Sequence, residues 1–201
     1  MKQVAEAGMG GNATMTQAAN GNWTLSSLTN EQALNMTPEQ TAMYNSLSTM
    51  ISDSKTASFN LIDGSNPLSS QILVGDNGTA AGYTVTPGVH TIDMGDVKNM
   101  GSTGVLTGQG ALMHEVSEGF QIQTRGASGT DAHYNTAIPT ESAVNGVTIN
   151  LNRQSPPTVT TNGNSQSVNI PVTINGIQRT VTITFINGNI PPSGGVLNNN
   201  R

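Results

Sequence analysis

The sequence predicts an α+β domain. Three observations carry that prediction. A helix start signal at Thr37-Pro38-Glu39-Gln40 precedes apolar residues at helical spacing. A longer helical stretch follows some short strand-like runs. Two alternating runs then flank an Asn-Gly pair near the C-terminal end, a hairpin pattern.

Residues 1–36 are rich in Gly, Ala, Asn and Thr and show little periodicity, so a flexible N-terminal arm is expected there. At the helix start, Thr37 is placed to cap, Pro38 to occupy the first helical position and Gln40 to complete a capping box. Met43, Leu47, Met50 and Ile51 then recur on one face, so the helix should span about 38–53. Three short strands are expected next, at 58–62, 71–74 and 88–94, separated by Gly/Asn/Asp/Pro clusters. The helical signal at 104–123 comes after them. A shorter helix is expected over 133–144, interrupted at Pro139.

Beyond Asn145 the pattern becomes β. Val147, Ile149 and Leu151 alternate, as do Val168, Ile170, Val172 and Ile174. Asn175-Gly176 intervenes, and Ile177, Arg179, Val181, Ile183 and Phe185 alternate in turn. An Asn-Gly pair in that setting predicts a two-residue hairpin turn. The expected organisation is therefore an arm at 1–36, a core at 37–145, a β-rich region at 146–190 and a disordered tail at 191–201.

Composition narrows the function classes. Of 201 residues, 34% are hydrophobic and only 9% charged, and Asn, Thr, Ser, Gly and Gln fill the balance. Net charge is −5 with no Lys/Arg cluster, and aromatic residues are 3% of the chain. Nucleic acid is therefore not an expected partner, because its recognition needs basic patches or stacking aromatics. The absence of cysteine rules out disulfides, thiolate-bound zinc and a cysteine nucleophile. Any metal site must use His, Asp, Glu or water. No run approaches the roughly 18 apolar residues of a membrane span. The N-terminus has no apolar signal-peptide core. The uncharged Asn/Thr/Ser-rich surface suits a secreted protein, so export as part of a larger polypeptide is expected.

One constellation carries chemistry. On a helical wheel at about 100° per residue, Leu112, Met113, Val116 and Phe120 share one arc. His114 and Glu118 fall together on the other side, one turn apart, where an imidazole and a carboxylate can share a cation. The text His114-Glu115-Val116-Ser117-Glu118 follows the logic of H-E-x-x-H, with Glu in place of the second His. Glu115 projects to a different edge and is the candidate general base. His133 is the candidate third metal ligand, with Asp131 beside it to orient the ring and Glu141 as a reserve ligand. In a chain this poor in charge, two carboxylates and a histidine within five residues are not filler. His90 is read as a strand residue, and Asp93 and Asp96 as turn chemistry rather than calcium ligands.

The order helix, strands, H-E helix and downstream ligand resembles the zincin metallopeptidases over residues 37–145. The resemblance rests on His114-Glu115 and Glu118, and departs from that family at the missing second His. It implies a zincin-like core with a short antiparallel or mixed sheet, Zn²⁺ on His114, Glu118 and His133, and Glu115 as base. It also implies that 88–94 is the edge strand holding a peptide or protein substrate. Zincin-like domains end many Rhs-type polymorphic toxins, so a secreted effector with a cognate inhibitor or immunity protein is one expectation. The competing expectation is a non-enzymatic surface or adhesion protein, with a structural metal site or none.

Overall fold

The computed structural model describes residues 1–62, 89–100, 107–151, 158–163, 165–186 and 196–199. The expected strand at 71–74 and Gly88 lie outside them. The fold is α+β, as expected. In chain order the elements are α1 (Lys2–Gly8), β1 (Met15–Gln17), β2 (Trp23–Leu25), α2 (Asn30–Asn35), α3 (Pro38–Ile51), β3 (Phe59–Ile62) and β4 (His90–Asp93). Next come α4 (Met94–Asn99), α5 (Gly108–Arg125), α6 (Gly129–Ala132), a π-helical turn (His133–Ala137) and α7 (Ile138–Asn145). The strands β5 (Ile149–Leu151), β6 (Thr158–Asn162), β7 (Ser165–Ile174), β8 (Ile177–Ile186) and β9 (Val196–Asn199) complete the chain.

The start of α3 forms as its chemistry dictates. Thr37 accepts from the backbone of Gln40, whose side chain accepts in return from the Thr37 N–H at 3.0 Å. Met43 and Leu47 turn inward with their neighbours Ala5, Met9, Ala13 and Met15. The N-terminal segment is thus not a loose arm. It adds α1, the β1–β2 hairpin and α2 to the fold, and its methionines fill the same core as α3 and α5. Thioether side chains suit a core this short of aromatics, because they adapt to irregular gaps.

Three small sheets are present among the described residues. β1 pairs with β2 antiparallel, and β3 with β4 parallel, Phe59 opposite His90 and Ile62 opposite Asp93. All four residues of β4 are buried, so this strand belongs to the core, and among the described residues it pairs with β3 alone. Asp93 caps α4, accepting from the N–H groups of Gly95 and Asp96 at 2.8 and 3.3 Å, which agrees with turn chemistry there.

The third sheet has five strands in the order β5-β7-β8-β9, with β6 also on β7, all antiparallel. The β7–β8 hairpin turns at Asn175 and Gly176, with φ of 50° and 83°. Positive φ at both positions is what a type I′ turn requires. Val172, Ile174, Val181 and Ile183 form a second core with Ile138, Ile149, Met100 and Ala111. The C-terminal segment read as disordered contributes β9 on the far side of β8.

Pro139 does not interrupt the helical path. The run from α6 to α7 is continuous, and the turn before Pro139 widens to π geometry. A proline removes one backbone donor and crowds the carbonyl four residues earlier, and the wider turn absorbs that conflict.

Candidate metal centre

Helix α5 presents the site. Thr107 caps its start, accepting from the Gly110 N–H at 3.0 Å. Leu112, Met113 and Val116 are buried in the first core and Ala111 in the second, which fixes the helix's rotation. His114 and Glu118 are left on a partly covered face, opposite the π turn that carries His133.

The three expected ligands meet there. His114 Nε2 lies 3.0 Å from His133 Nδ1, and that atom lies 3.2 Å from Glu118 Oε2. The third side of the triangle, His114 Nε2 to Glu118 Oε2, is 3.4 Å. Bonds of 2.0–2.1 Å in a tetrahedral zinc site place neighbouring donor atoms roughly 3.3–3.4 Å apart. The triangle is therefore close to the size that one such ion needs. The donor set, two imidazoles and one carboxylate, is ordinary for zinc with a fourth position left to water. The His133 side chain is 30% exposed against 13% and 15% for His114 and Glu118, so the site meets solvent at His133.

Glu141 takes a different place from the reserve ligand expected of it. Its Oε2 lies 2.7 Å from His114 Nδ1, on the side of the ring away from the triangle. The carboxylate accepts from Nδ1–H, which leaves the Nε2 lone pair for a metal. Asp131, expected to orient His133, instead accepts from Ser128 Oγ at 2.7 Å within its own short helix.

The electrostatics call for a positive charge at the centre. Burial pushes the His114 imidazole down, but hydrogen bonds to Glu118 and Glu141, with the nearby carboxylate charges, raise its pKa to about 10. Burial pushes the Glu118 carboxyl up, and hydrogen bonds and charge from His114 and His133 bring it to about 2. Without metal a proton on His114 supplies the charge. A divalent cation held by His114, Glu118 and His133 would supply it instead.

Glu115 does not join the triangle. It is buried, and its Oε2 lies 2.7 Å from Nε2 of His90, a fully buried residue on β4. His90 is thus more than a strand filler, and the signals that could have shown this were faint. One is Gly119, a helix-interior glycine one turn after Glu115. A Cβ there would lie 2.7 Å from both Cβ and Cγ of His90, so only glycine lets α5 sit this close to β4.

Comparison with protein-family models, with curated proteins and with solved structures finds no match.

Two cavities flank α5. One, of about 330 Å³, is lined by Trp23, Phe59, Val116 and Phe120 among others. The other, of about 320 Å³, lies among Asn45, Ser117, Gln121, Arg125, Thr136 and Thr140. Neither is lined by His114, Glu118 or His133, although the second runs along their chain neighbours. No described helix is long and apolar enough to cross a membrane.

Proposed function

We propose that this chain is a zinc-dependent hydrolase acting on peptides or proteins. His114, Glu118 and His133 hold the ion, and Glu115 is the proton acceptor. The observation that carries the reading is the donor triangle with sides of 3.0, 3.2 and 3.4 Å. Zinc in such a site lowers the pKa of its water toward about 7. Glu141 fixes the tautomer and orientation of His114. Glu118 supplies the negative charge that favours a cation over two neutral imidazoles. Glu115, adjacent to His114 in the chain, stands close enough for its charge to act on that ring. The order of a buried strand, an H-E-x-x-E helix and a downstream His supports a zincin-like mechanism.

A second reading has one observation in its favour. The Glu115 carboxylate is engaged by His90, as in a protein whose metal is structural and whose polar core is static. Zinc analysis and peptide hydrolysis separate the readings. The hydrolase reading expects one zinc per chain, lost in His133→Ala, and cleavage of a mixed fluorogenic peptide set. Glu115→Gln should keep the zinc and lose about 10²–10⁴-fold of the rate. A wild-type protein that fails to take up zinc would overturn both the hydrolase and the structural-metal readings.

A further inference from the structure

We propose that His90 is a positioning residue for Glu115, holding one carboxylate oxygen and leaving the other to accept a proton. This rests on the hydrolase reading above. The pair is built at some cost to the fold. His90 is 0% exposed, and its Nδ1 is buried with no hydrogen-bond partner among the described residues. Nε2–H donates to Glu115 Oε2 at 2.7 Å, so Nδ1 carries the unused lone pair. Phe59 packs its ring against His90 edge-on at 6.2 Å, and Gly119 lets the backbone of α5 close over the imidazole. The ring is therefore clamped on two sides and its tautomer is set by one bond.

Stability alone gives no reason for this arrangement. An apolar residue of the same volume at position 90, with another at 115, would fill the space without an orphaned nitrogen or a buried carboxylate. Buried ionisable pairs beside a cleft or metal are where catalytic groups are tuned. The link to the candidate metal centre is helix α5 itself, on which Glu115 directly follows His114. Two imidazole–carboxylate pairs thus share one helix. Glu141 orients the ring that binds metal, and His90 orients the carboxylate beside it.

The pair makes a spectroscopic prediction that needs no known substrate. The chain has three histidines, so each imidazole can be assigned in ¹⁵N-histidine-labelled protein by single substitution. In metal-free protein His90 should appear as the Nε2–H tautomer with a slowly exchanging proton. Zinc should move the His114 and His133 signals, because they become ligands. It should also move the His90 signal. With the site filled, the free oxygen of Glu115 would accept from water held there, and less of its charge would be left for His90. In Glu115→Gln, which keeps an acceptor for His90, zinc should still move His114 and His133 but leave His90 in place. A His90 signal unmoved by zinc while the other two respond would overturn the proposal and leave the metal site standing. So would an equal His90 shift in Glu115→Gln, which would be a field effect, or an Nδ1–H tautomer. If His114 and His133 themselves do not respond, the hydrolase reading fails and the proposal with it.

Discussion

Glu118 and Glu141 stand on opposite nitrogens of His114, and their chemistry differs for that reason. Glu118 lies on the metal side and contributes charge to the donor triangle, whereas Glu141 accepts from Nδ1–H. Glu118→Gln should abolish stoichiometric zinc, because a neutral amide replaces the anionic donor. Glu141→Gln keeps an acceptor and should lower zinc affinity by about 10–100-fold, as loss of a partner behind a ligand typically does. Competition against a chromophoric chelator measures both, and equal losses would contradict the assigned roles. The same residues set a pH window for the metal-free protein. His114 is raised from 6.5 to about 10, so its contribution is complete below 6.5 and fades as pH climbs toward 10. Glu118 is lowered from 4.5 to about 2, so its contribution is complete above 4.5 and fades as pH falls toward 2. The stability difference between wild type and Glu118→Gln, from urea titrations in chelator, should be greatest between pH 4.5 and 6.5 and shrink on both sides. A difference that keeps growing above pH 7 would contradict this assignment. The donor triad was legible because helical spacing and a scarcity of charge single out His114, Glu118 and His133. The places of Glu141 and His90 were not. Spacing within α5 says nothing about which neighbouring element meets each edge of the helix.

At the scale of elements, local signals were readable and packing was not. The α3 capping box and the Asn175-Gly176 turn are each determined by four consecutive residues, and both form as their chemistry requires. The N-terminal segment misled for the opposite reason. Met9 and Ala13 are buried in irregular backbone and Met15 in a three-residue strand, all too short to show a period, and only contact with α3 and α5 makes them core. One local signal there was available, since Thr29 and Gln32 form the same capping box as Thr37 and Gln40. The wide turn at His133–Ala137 was hidden too, because Pro139 alone reads as a break. The hairpin supports a direct test. Gly176 has a φ of 83°, and a β-branched residue is strained there even though its Cβ would meet open space. Gly176→Val should cost about 1–2 kcal/mol, the usual penalty for left-handed backbone in a residue with a Cβ. The loss should appear as a lower urea midpoint. Because the turn is exposed at the end of a hairpin that packs in the second core, and His114, Glu118 and His133 lie on other elements, zinc stoichiometry should not change. A midpoint equal to that of the wild type would argue against the type I′ turn.

At the scale of the molecule, α5 and α7 each enter both cores, α7 through Val144 and Ile138. From α5, Leu112, Met113 and Val116 enter the first core, and Ala111 enters the second. The donor triangle ties the same helix to the π turn between α6 and α7, so its three atoms come together only when both segments are packed. An unfolded chain holds His114 and Glu118 one turn apart at best, with His133 free of them, and binds the ion far more weakly. Zinc should therefore stabilise the whole fold by mass action, about 2.7 kcal/mol when free zinc is a hundred times its dissociation constant. For a chain of this size that corresponds to a rise in Tm of roughly 5–10 °C. His133→Ala should separate the metal's contribution from that of packing. The side chain is only partly buried, so the metal-free variant should melt within a few degrees of wild type, yet gain almost nothing from zinc. Thermal unfolding with added zinc and with chelator measures both quantities for each protein. Gly176→Val supplies the contrast, since it should lower both melting temperatures and keep the gap between them. If His133→Ala retains the full rise with zinc, the stabilising ion sits elsewhere and the triangle is only a hydrogen-bonded polar cluster.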